Sequence, residues 1–299
     1  MPHTSRIEPP ARVAVLGLGQ MGAPMAKNLI AAGFTVAGFD LSDASRQALA
    51  NIGGESFETA SAAAKDADVV ITMLPNGTVV RDVLIGKGAV ADVLKPGTIV
   101  IDMSSSAPVG TVELGEVLRA KDIHLIDCPV SGGVSRAVTG TLAIMAGGDP
   151  AAIADVAPVL QTLGKSVFET GRLGSAHALK ALNNFVSAAG LVAASEALII
   201  GQKFGLEPET IVDVLNSSTG RNNATEVKLK QFILSGTFSS GFNLALMTKD
   251  IATAADLERS LGLELPTLKL MTRLWSEARE KLPMADHTAI YAFLDGQKA

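Results

Sequence analysis

Three glycines follow a short apolar run near the start of the chain. Gly17, Gly19 and Gly22 have the spacing G-x-G-x-x-G, directly after a predicted strand at 13–16 and at the start of a helical stretch, 22–32. The first glycine permits a tight turn, the second lets a pyrophosphate approach the backbone, and the third lets the helix pack closely on a sheet. The helix then offers unpaired N–H groups to phosphates. The predicted dinucleotide-binding residues of this loop are Gly17, Leu18, Gly19, Gln20, Met21 and Gly22.

A single carboxylate closes this segment. Asp40 ends a second predicted strand, 34–39, at 18 residues beyond Gly22. A carboxylate at this place accepts hydrogen bonds from the adenosine ribose and repels a 2′-phosphate. We therefore predict NAD as the cofactor, with NADP less favoured; the alternative is that Asp40 is a helix cap or turn residue. Arg46 lies nearby and would weaken the preference, unless it is a solvated helix residue.

Two further polar segments follow predicted strands and are candidates for the rest of the cofactor site. Leu74, Pro75 and Asn76 end the run 69–75, and Ser105 follows the run 98–103. Ligands of open parallel sheets bind outside the carboxyl ends of the strands, which is where these residues would lie. Turn formation alone is the alternative for both segments.

A third loop has the composition of an anion site. Ser131, Gly132 and Gly133 follow the strand-like run 124–130. Successive backbone N–H groups together with a hydroxyl make a good cradle for a carboxylate. An ordinary flexible loop is the alternative.

Two polar side chains stand in a long apolar helical pattern. Lys180 and Asn184 are four residues apart, so they share one face of the predicted helix 175–204. A lysine in apolar surroundings is costly unless it has a chemical task or extends to water, and both remain open. His177, one turn earlier, is predicted as a surface or packing residue, with a supporting role as the alternative. Lys249, in the segment 241–250, is either a cleft residue or solvated surface.

These residues need elements to position them. Up to about residue 170, short apolar strands alternate with helical patterns, which indicates a doubly wound parallel sheet covered on both faces. Beyond residue 173 only helical patterns occur. We predict an α/β, Rossmann-like fold followed by an all-α domain. The predicted division is a flexible tail at 1–11, a dinucleotide-binding domain at 12–173, a long inter-domain helix at 174–204 and an all-α substrate or oligomerisation domain at 205–299.

Composition excludes several other functions. The net charge of -5 provides no basic surface for nucleic acid. The single cysteine, Cys128, excludes a disulfide framework and a cysteine zinc site, and no metal site is predicted. No stretch of 18 uncharged apolar residues occurs and the N-terminus lacks a signal-peptide pattern, so we expect a cytoplasmic protein without a membrane span.

Four ordered motifs together resemble the β-hydroxyacid dehydrogenase family, which includes 3-hydroxyisobutyrate dehydrogenase and tartronate semialdehyde reductase. They are GLGQMG, DCPVSGG, GSAHALKALNN and TKD, and the resemblance covers nearly the whole chain from Arg12. It implies hydride transfer between a nicotinamide cofactor and a small β-hydroxyacid or semialdehyde carboxylate. Separately from the resemblance, the apolar helical domain predicts a homo-oligomer, either a dimer or a tetramer.

The resemblance also implies roles for individual residues. Lys180 is then catalytic, as base in oxidation and acid in reduction. The substrate-binding residues would be Ser131, Gly132, Gly133, Asn184 and Phe242. Ser105 stands where relatives usually have threonine and would contact the nicotinamide side. Lys249 would close over the cofactor, with Asp250 orienting it.

One segment departs from the family pattern. At 218–226 the sequence reads STGRNNATE, with Asn222 and Asn223 where 3-hydroxyisobutyrate dehydrogenases carry a tryptophan. A polar side chain there favours a larger or more polar substrate tail than a methyl group. The alternatives that remain are a tartronate semialdehyde reductase, an imine reductase and a non-catalytic dinucleotide sensor. A 6-phosphogluconate type of enzyme needs a larger helical domain than this chain provides.

Overall fold

The computed structural model describes residues 6–296 and divides into two compact units, 1–180 and 181–299. The boundary falls inside the longest helix, directly after Lys180. The first unit is α/β and the second is built from helices, as the sequence predicts. Residues 1–5, part of the predicted flexible tail, lie outside the described residues.

The strands of the first unit form one sheet. They are β1 (Arg12–Leu16), β2 (Thr35–Phe39), β3 (Glu55–Ser56), β4 (Val69–Thr72), β5 (Ile99–Asp102), β6 (His124–Asp127), β7 (Val130–Ser131), β8 (Leu142–Gly147) and β9 (Gly164–Gly171). The strand order is β3-β2-β1-β4-β5-β6-β8-β7, with β9 paired to β8. Strands β2 and β3 extend the sheet on one side of β1 and strands β4 to β6 extend it on the other, which is the doubly wound arrangement.

The sheet departs from the predicted all-parallel arrangement at one end. Strand β8 runs antiparallel to both β6 and β7, while the other pairs are parallel. A short turn rather than a crossover helix separates β6 from β7, and only the six-residue helix Gly133–Val138 precedes β8. Because parallel neighbours need a long crossover connection, these short connections favour the antiparallel pairing.

Helices cover both faces of this sheet. They are α1 (Gly22–Ala31), α2 (Asp43–Asn51), α3 (Ala60–Ala64), α4 (Gly77–Ile85), α5 (Pro108–Arg119), α6 (Gly133–Val138), α7 (Pro150–Asp155) and α8 (Ala157–Leu163). Alternate residues of β1 belong to different clusters: Val13 and Val15 to one, Ala14 and Leu16 to the other. Strand β1 is therefore buried on both faces, which explains its continuous apolar sequence.

The start of the described chain is attached to the first unit. Ile7 packs against the larger core cluster, and its backbone N–H donates to the carbonyl of Asp155 at 2.8 Å. The predicted flexible tail therefore does not extend to this residue, because an apolar side chain here has a core surface to bury against.

The long helix α9 (Ser175–Phe204) begins in the first unit and continues into the second. By length and hydropathy it also meets the requirements of a membrane-spanning helix. The central helices of proteins that never enter a bilayer meet the same requirements, so this is weak evidence for a membrane span.

The second unit packs helices around its own apolar cluster, which includes the fully buried Trp275. Its further helices are α10 (Pro208–Ser217), a π-helix (Ala224–Leu234), α11 (Leu244–Ser260), α12 (Pro266–Lys281) and α13 (Ile290–Leu294), with a short 3₁₀ turn at His287–Ala289. The π-helix lies in the part of the chain where the sequence shows only helical patterns.

Candidate active site

The glycine loop between β1 and α1 has the shape that dinucleotide binding requires. Gly17 has a φ of +100°, which favours glycine, and a side chain there would meet the carbonyl of Met73. A Cβ at Gly22 would overlap the carbonyl oxygen of Gly17. Around Gly19, in contrast, no atom lies within 4 Å of a Cβ position, so this backbone is open for a phosphate. The three positions fit the three roles predicted for them.

The carboxylate of Asp40 is fixed by two backbone donors. Oδ2 accepts the N–H of Leu18 at 2.7 Å and Oδ1 accepts the N–H of Ser42 at 2.8 Å. The backbone N–H of Leu18 is therefore occupied by Asp40, and the Leu18 side chain is buried. In the rest of the loop, Gly19 and Gln20 are exposed and Met21 is partly buried. Asp40 is thus held beside the glycine loop, where the ribose of a bound dinucleotide is expected.

Arg46 is more than a solvated helix residue. Its guanidinium donates to the backbone carbonyl of Asp40 at 2.7 Å and forms an ion pair with the carboxylate of Asp43. The Arg46 cation is consequently held at the end of β2 by the backbone of Asp40, whose carboxylate would bind the ribose. The side chain is only 19% exposed.

In the loops after β4 and β5, some of the predicted cofactor-binding residues make hydrogen bonds within the protein. Asn76 caps α4, because its Oδ1 accepts the N–H of Val79 at 3.0 Å. The N–H of Leu74 donates to Ser104 Oγ at 2.9 Å. Pro75 is exposed and Ser105 is partly exposed, while both neighbours of Ser105 are buried. Of the three consecutive serines, Ser105 is therefore the one placed to reach a ligand.

The loop predicted to hold a carboxylate begins at the end of β7. Ser131 is partly exposed, and Gly132 and Gly133 are exposed, with φ of +126° and +65°. These conformations require glycine and turn the chain sharply after the strand. Two exposed glycines and a hydroxyl therefore lie together after β7.

A buried carboxylate connects this part of the sheet to the helix of Lys180. Asp127, the last residue of β6, accepts the backbone N–H groups of Gly174 and His177, both at 2.8 Å. These groups belong to the first turn of α9, which has no internal partner for them. Burial raises the pKa of Asp127, although the His177 ring and the two N–H groups oppose this shift. Lys180 follows one turn later and is partly buried.

The His177 ring lies inside a polar network beneath the site. Its Nε2 lies 3.1 Å from the carbonyl of Ser104, so this nitrogen carries a hydrogen, and Nδ1 lies 2.8 Å from Thr111 Oγ1. Asp102 accepts from the hydroxyls of Thr72 and Ser106, at 2.9 and 2.7 Å. The network joins the serine loop to the start of α9.

Sequence reasoning gave His177 only a minor alternative as a supporting residue and did not select Asp102 or Asp127. The sequence did contain an indication of their importance, because each aspartate is the last residue of a buried strand. A charged residue is unusual at such a position unless it has polar partners. Cys128, beside Asp127, is buried, and burial raises the pKa of its thiol well above the ordinary value.

In the second unit, a second buried carboxylate organises two predicted site residues. Asp250 accepts the side-chain amide of Asn184 at 2.6 Å and forms an ion pair with Lys249 Nζ at 3.6 Å. The amide orientation of Asn184 is thereby fixed, and its Oδ1 accepts from the side-chain amide of Asn183 at 3.2 Å. The expectation that Asp250 orients Lys249 agrees with this geometry. Phe242 is partly buried, and its ring makes an edge contact with His287 at 5.6 Å between centroids.

Asn222 has a structural task that the sequence did not reveal. Its Oδ1 accepts the N–H groups of Ala224 and Thr225, and its Nδ2 donates to the carbonyl of Gly220. These bonds cap the start of the π-helix. The prediction that a polar side chain at this position favours a polar substrate tail does not apply to Asn222, because its amide is already occupied.

Comparison with known proteins decides the family. The model of the NAD-binding domain of 6-phosphogluconate dehydrogenase matches residues 12–171, and that of the NAD-binding domain of NADP-dependent 3-hydroxyisobutyrate dehydrogenase matches 174–294. A 2-(hydroxymethyl)glutarate dehydrogenase of Eubacterium barkeri is 37% identical, over 91% of both chains. The chain belongs to the β-hydroxyacid dehydrogenase family. It is therefore an oxidoreductase that uses a nicotinamide cofactor.

Other members of the β-hydroxyacid dehydrogenase family are nearly as similar. A 3-sulfolactaldehyde reductase of Escherichia coli is 33% identical, over 90% of both chains. The structure of Mycobacterium tuberculosis 3-hydroxyisobutyrate dehydrogenase with L-serine has a TM-score of 0.89 at 33% identity, covering 95% of this chain and 99% of the other. These relatives are named for different substrates, namely 2-(hydroxymethyl)glutarate, 3-sulfolactaldehyde and 3-hydroxyisobutyrate.

Proposed function

We propose that this chain catalyses the reversible oxidation of a small acid whose hydroxyl group is β to a carboxylate, as in 3-hydroxyisobutyrate. The main support is Asp127, which lies four residues before Ser131 and accepts two N–H groups at the start of the helix that carries Lys180. The segment that leads to the proposed anion-binding loop is thereby connected to the helix of the lysine. A tartronate semialdehyde reductase remains the alternative, because it needs the same groups.

Each of these groups has a defined task in the proposed reaction. Ser131, Gly132 and Gly133 bind the substrate carboxylate through the serine hydroxyl and backbone N–H groups. Lys180 takes the hydroxyl proton during oxidation and returns it during reduction. Asn184, oriented by Asp250, binds the substrate. The cofactor, when bound, accepts or supplies the hydride.

The residues of the first unit fit a dinucleotide, and we propose that NAD is preferred to NADP. The glycine loop and Asp40 would hold the pyrophosphate and the adenosine ribose, and Leu74, Pro75, Asn76 and Ser105 would lie along the nicotinamide half. Phe242 and Lys249 would close over the ligands. The fixed carboxylate of Asp40 disfavours a 2′-phosphate. Arg46 reduces this discrimination, since its cation is held on the Asp40 carbonyl.

Absorbance of the reduced cofactor, measured over a range of NAD⁺ or NADP⁺ concentrations, tests the proposal directly, with 3-hydroxyisobutyrate, glycerate, L-serine and longer β-hydroxyacids as substrates. We expect turnover of at least one β-hydroxyacid, with a higher kcat/KM for NAD⁺. Activity restricted to cyclic imines with a reduced cofactor would instead support an imine reductase. Dinucleotide binding without turnover of any of these compounds would support the sensor.

The assembly is also a proposal. We expect a dimer or tetramer, because several large apolar side chains of the second unit are exposed in the single chain, among them Val186, Ile200 and Phe204 at 67, 68 and 83%. We also expect the protein to act in the cytoplasm, without nucleic-acid or membrane partners. Light scattering coupled to size-exclusion chromatography measures the number of subunits, and a monomer would contradict this expectation.

A further inference from the structure

Lys228 is a buried cation that the proposed reaction does not use. It lies on the π-helix of the second unit and is only 9% exposed. Its Nζ donates one long hydrogen bond, 3.4 Å to Ser187 Oγ. It forms no ion pair with any residue in the described range 6–296. An ammonium has three N–H donors, so this group is placed for a further acceptor that the chain itself does not supply.

Asp286 is the carboxylate that stabilises the charged form of Lys228, but its oxygens accept hydrogen bonds from other groups. Asp286 accepts hydrogen bonds from the hydroxyls of Ser240 and Thr288 and from backbone N–H groups of 241–242. Burial raises the pKa of Asp286, but hydrogen bonds with His287, Thr288 and Ser240 outweigh it and hold this pKa well below its usual range. Burial in turn lowers the pKa of Lys228 to about 8, with Asp286 opposing only in part. A buried cation without its own anion is costly to keep, which favours a role in ligand binding.

The position of Lys228 indicates which ligand it serves. Ser187, its hydrogen-bond partner, lies on α9 one turn after Asn184, the proposed substrate-binding residue. The ammonium therefore reaches the surface of α9 next to Asn184. The other polar candidate of this region, Asn222, is committed to capping the π-helix. Asn223 is exposed, so Lys228 is the buried cation beside Asn184 that is available for the part of the substrate that extends away from the reacting end.

We propose that Lys228 binds a second acidic group of the substrate, so that the enzyme prefers β-hydroxyacids carrying an additional carboxylate or sulfonate over those with an apolar tail. This inference rests on the proposed function for the reacting end of the molecule. It adds the chemical class of the tail. A substrate with a neutral tail would leave the ammonium buried without a partner, which penalises that substrate.

Calorimetric titration with two unreactive acids tests the site without any turnover. Glutarate and pentanoate have the same chain length and differ in one terminal carboxylate. With the full-length protein, with and without NADH, we expect glutarate to bind at least about tenfold more tightly. In Lys228→Met we expect glutarate affinity to fall at least about tenfold and pentanoate affinity to stay within about twofold. Lys228→Arg should keep the preference, because the charge remains.

Lys230 provides a matched control two residues along the same π-helix. It is exposed and paired with Asp213 at 2.5 Å, so Lys230→Met should leave both affinities unchanged. Equal affinity of the wild-type protein for the two acids would overturn the inference, whatever the variants do. An equal loss of both affinities in a folded Lys228→Met protein would overturn it as well.

Turnover separates this inference from the proposed function. The pair to compare is 2-(hydroxymethyl)glutarate and 2-(hydroxymethyl)pentanoate, which carry the same reacting end. We expect a kcat/KM at least about tenfold higher for the dicarboxylate, and loss of that ratio in Lys228→Met. If neither compound nor any other β-hydroxyacid is oxidised while the glutarate preference depends on Lys228, the proposed function fails and the anion site stands.

Discussion

Oδ2 of Asp127 accepts the backbone N–H of His177 at 2.8 Å and lies 3.7 Å from Nδ1 of the same residue's ring. The carboxylate therefore holds the main chain at the first turn of α9, and the His177 ring lies beside it. Lys180 follows three residues later on that helix. Its position relative to the carboxyl edge of the sheet consequently depends on Asp127.

We expect Asp127→Asn to misplace Lys180 without removing it. An asparagine has one accepting oxygen in place of two, so it can keep only one of the hydrogen bonds from Gly174 and His177. The negative charge near the N-terminus of α9 is also lost. The expected result is a decrease in kcat of about 10- to 100-fold with the KM for NAD⁺ changed less than about threefold. Steady-state kinetics measures both. Asp149→Asn, an exposed cap on α7, is the control and should leave kcat unchanged.

The glycine loop allows binding and folding to be separated. Gly22→Ala places a Cβ on the carbonyl oxygen of Gly17, so we expect the free energy of unfolding to fall by about 2 kcal/mol or more. Gly19→Ala meets no atom within 4 Å, so stability should change by less than about 1 kcal/mol. The added methyl group occupies the place of the pyrophosphate, and NADH affinity should fall at least about tenfold. Denaturant titration and NADH fluorescence measure the two effects, and a normal NADH affinity in Gly19→Ala would contradict the assignment.

Asp40 should control the choice of cofactor. In Asp40→Ser the 2′-phosphate is no longer repelled, and Arg46 is left as the charged group at the end of β2. We expect the ratio of kcat/KM for NAD⁺ to that for NADP⁺ to fall at least about tenfold. Asp43→Asn removes an exposed carboxylate from the same turn and serves as the comparison, with a smaller shift expected. An unchanged ratio in Asp40→Ser would show that another group discriminates.

The preference for a second acidic group should depend on pH. The pKa of Lys228 is lowered to about 8 by burial, so its ammonium is charged below pH 8 and neutral above it. Asp286 remains ionised throughout this range, since its pKa is lowered far below it. The glutarate-to-pentanoate affinity ratio should therefore fall about tenfold from pH 7 to pH 9. Lys228→Arg should flatten this dependence, and a ratio that rises with pH would contradict the assignment.

The strongest sequence signals concerned backbone geometry. Gly17 and Gly22 make close approaches that only glycine tolerates, and the backbone at Gly19 is left open, as the G-x-G-x-x-G spacing predicts. The long helix 175–204 was predicted from its continuous apolar pattern, and its bounds agree with the structure. Features of this kind depend on residues close together in sequence, so the residue types alone predict them.

The remaining features depend on contacts between distant segments. Strand β9 was not predicted, because its sequence GKSVFETG is polar and largely exposed beside β8. The role of Asp127 requires a partner 47 residues away in sequence, at Gly174, which no local pattern reveals. Asn222 was assigned to the substrate because its type is polar, whereas its position makes it a helix cap. Lys228 was overlooked because a lysine in a helical pattern is normally solvated.

Replacement of Lys180 tests the central claim most directly. Lys180→Met keeps the length and packing of the side chain but removes the group that would transfer the substrate proton. With the best β-hydroxyacid from the substrate panel, we predict a fall in kcat of about 10³-fold or more, with the NADH dissociation constant within about twofold of wild type. Turnover within about tenfold of wild type, at a normal NADH affinity, would contradict the account.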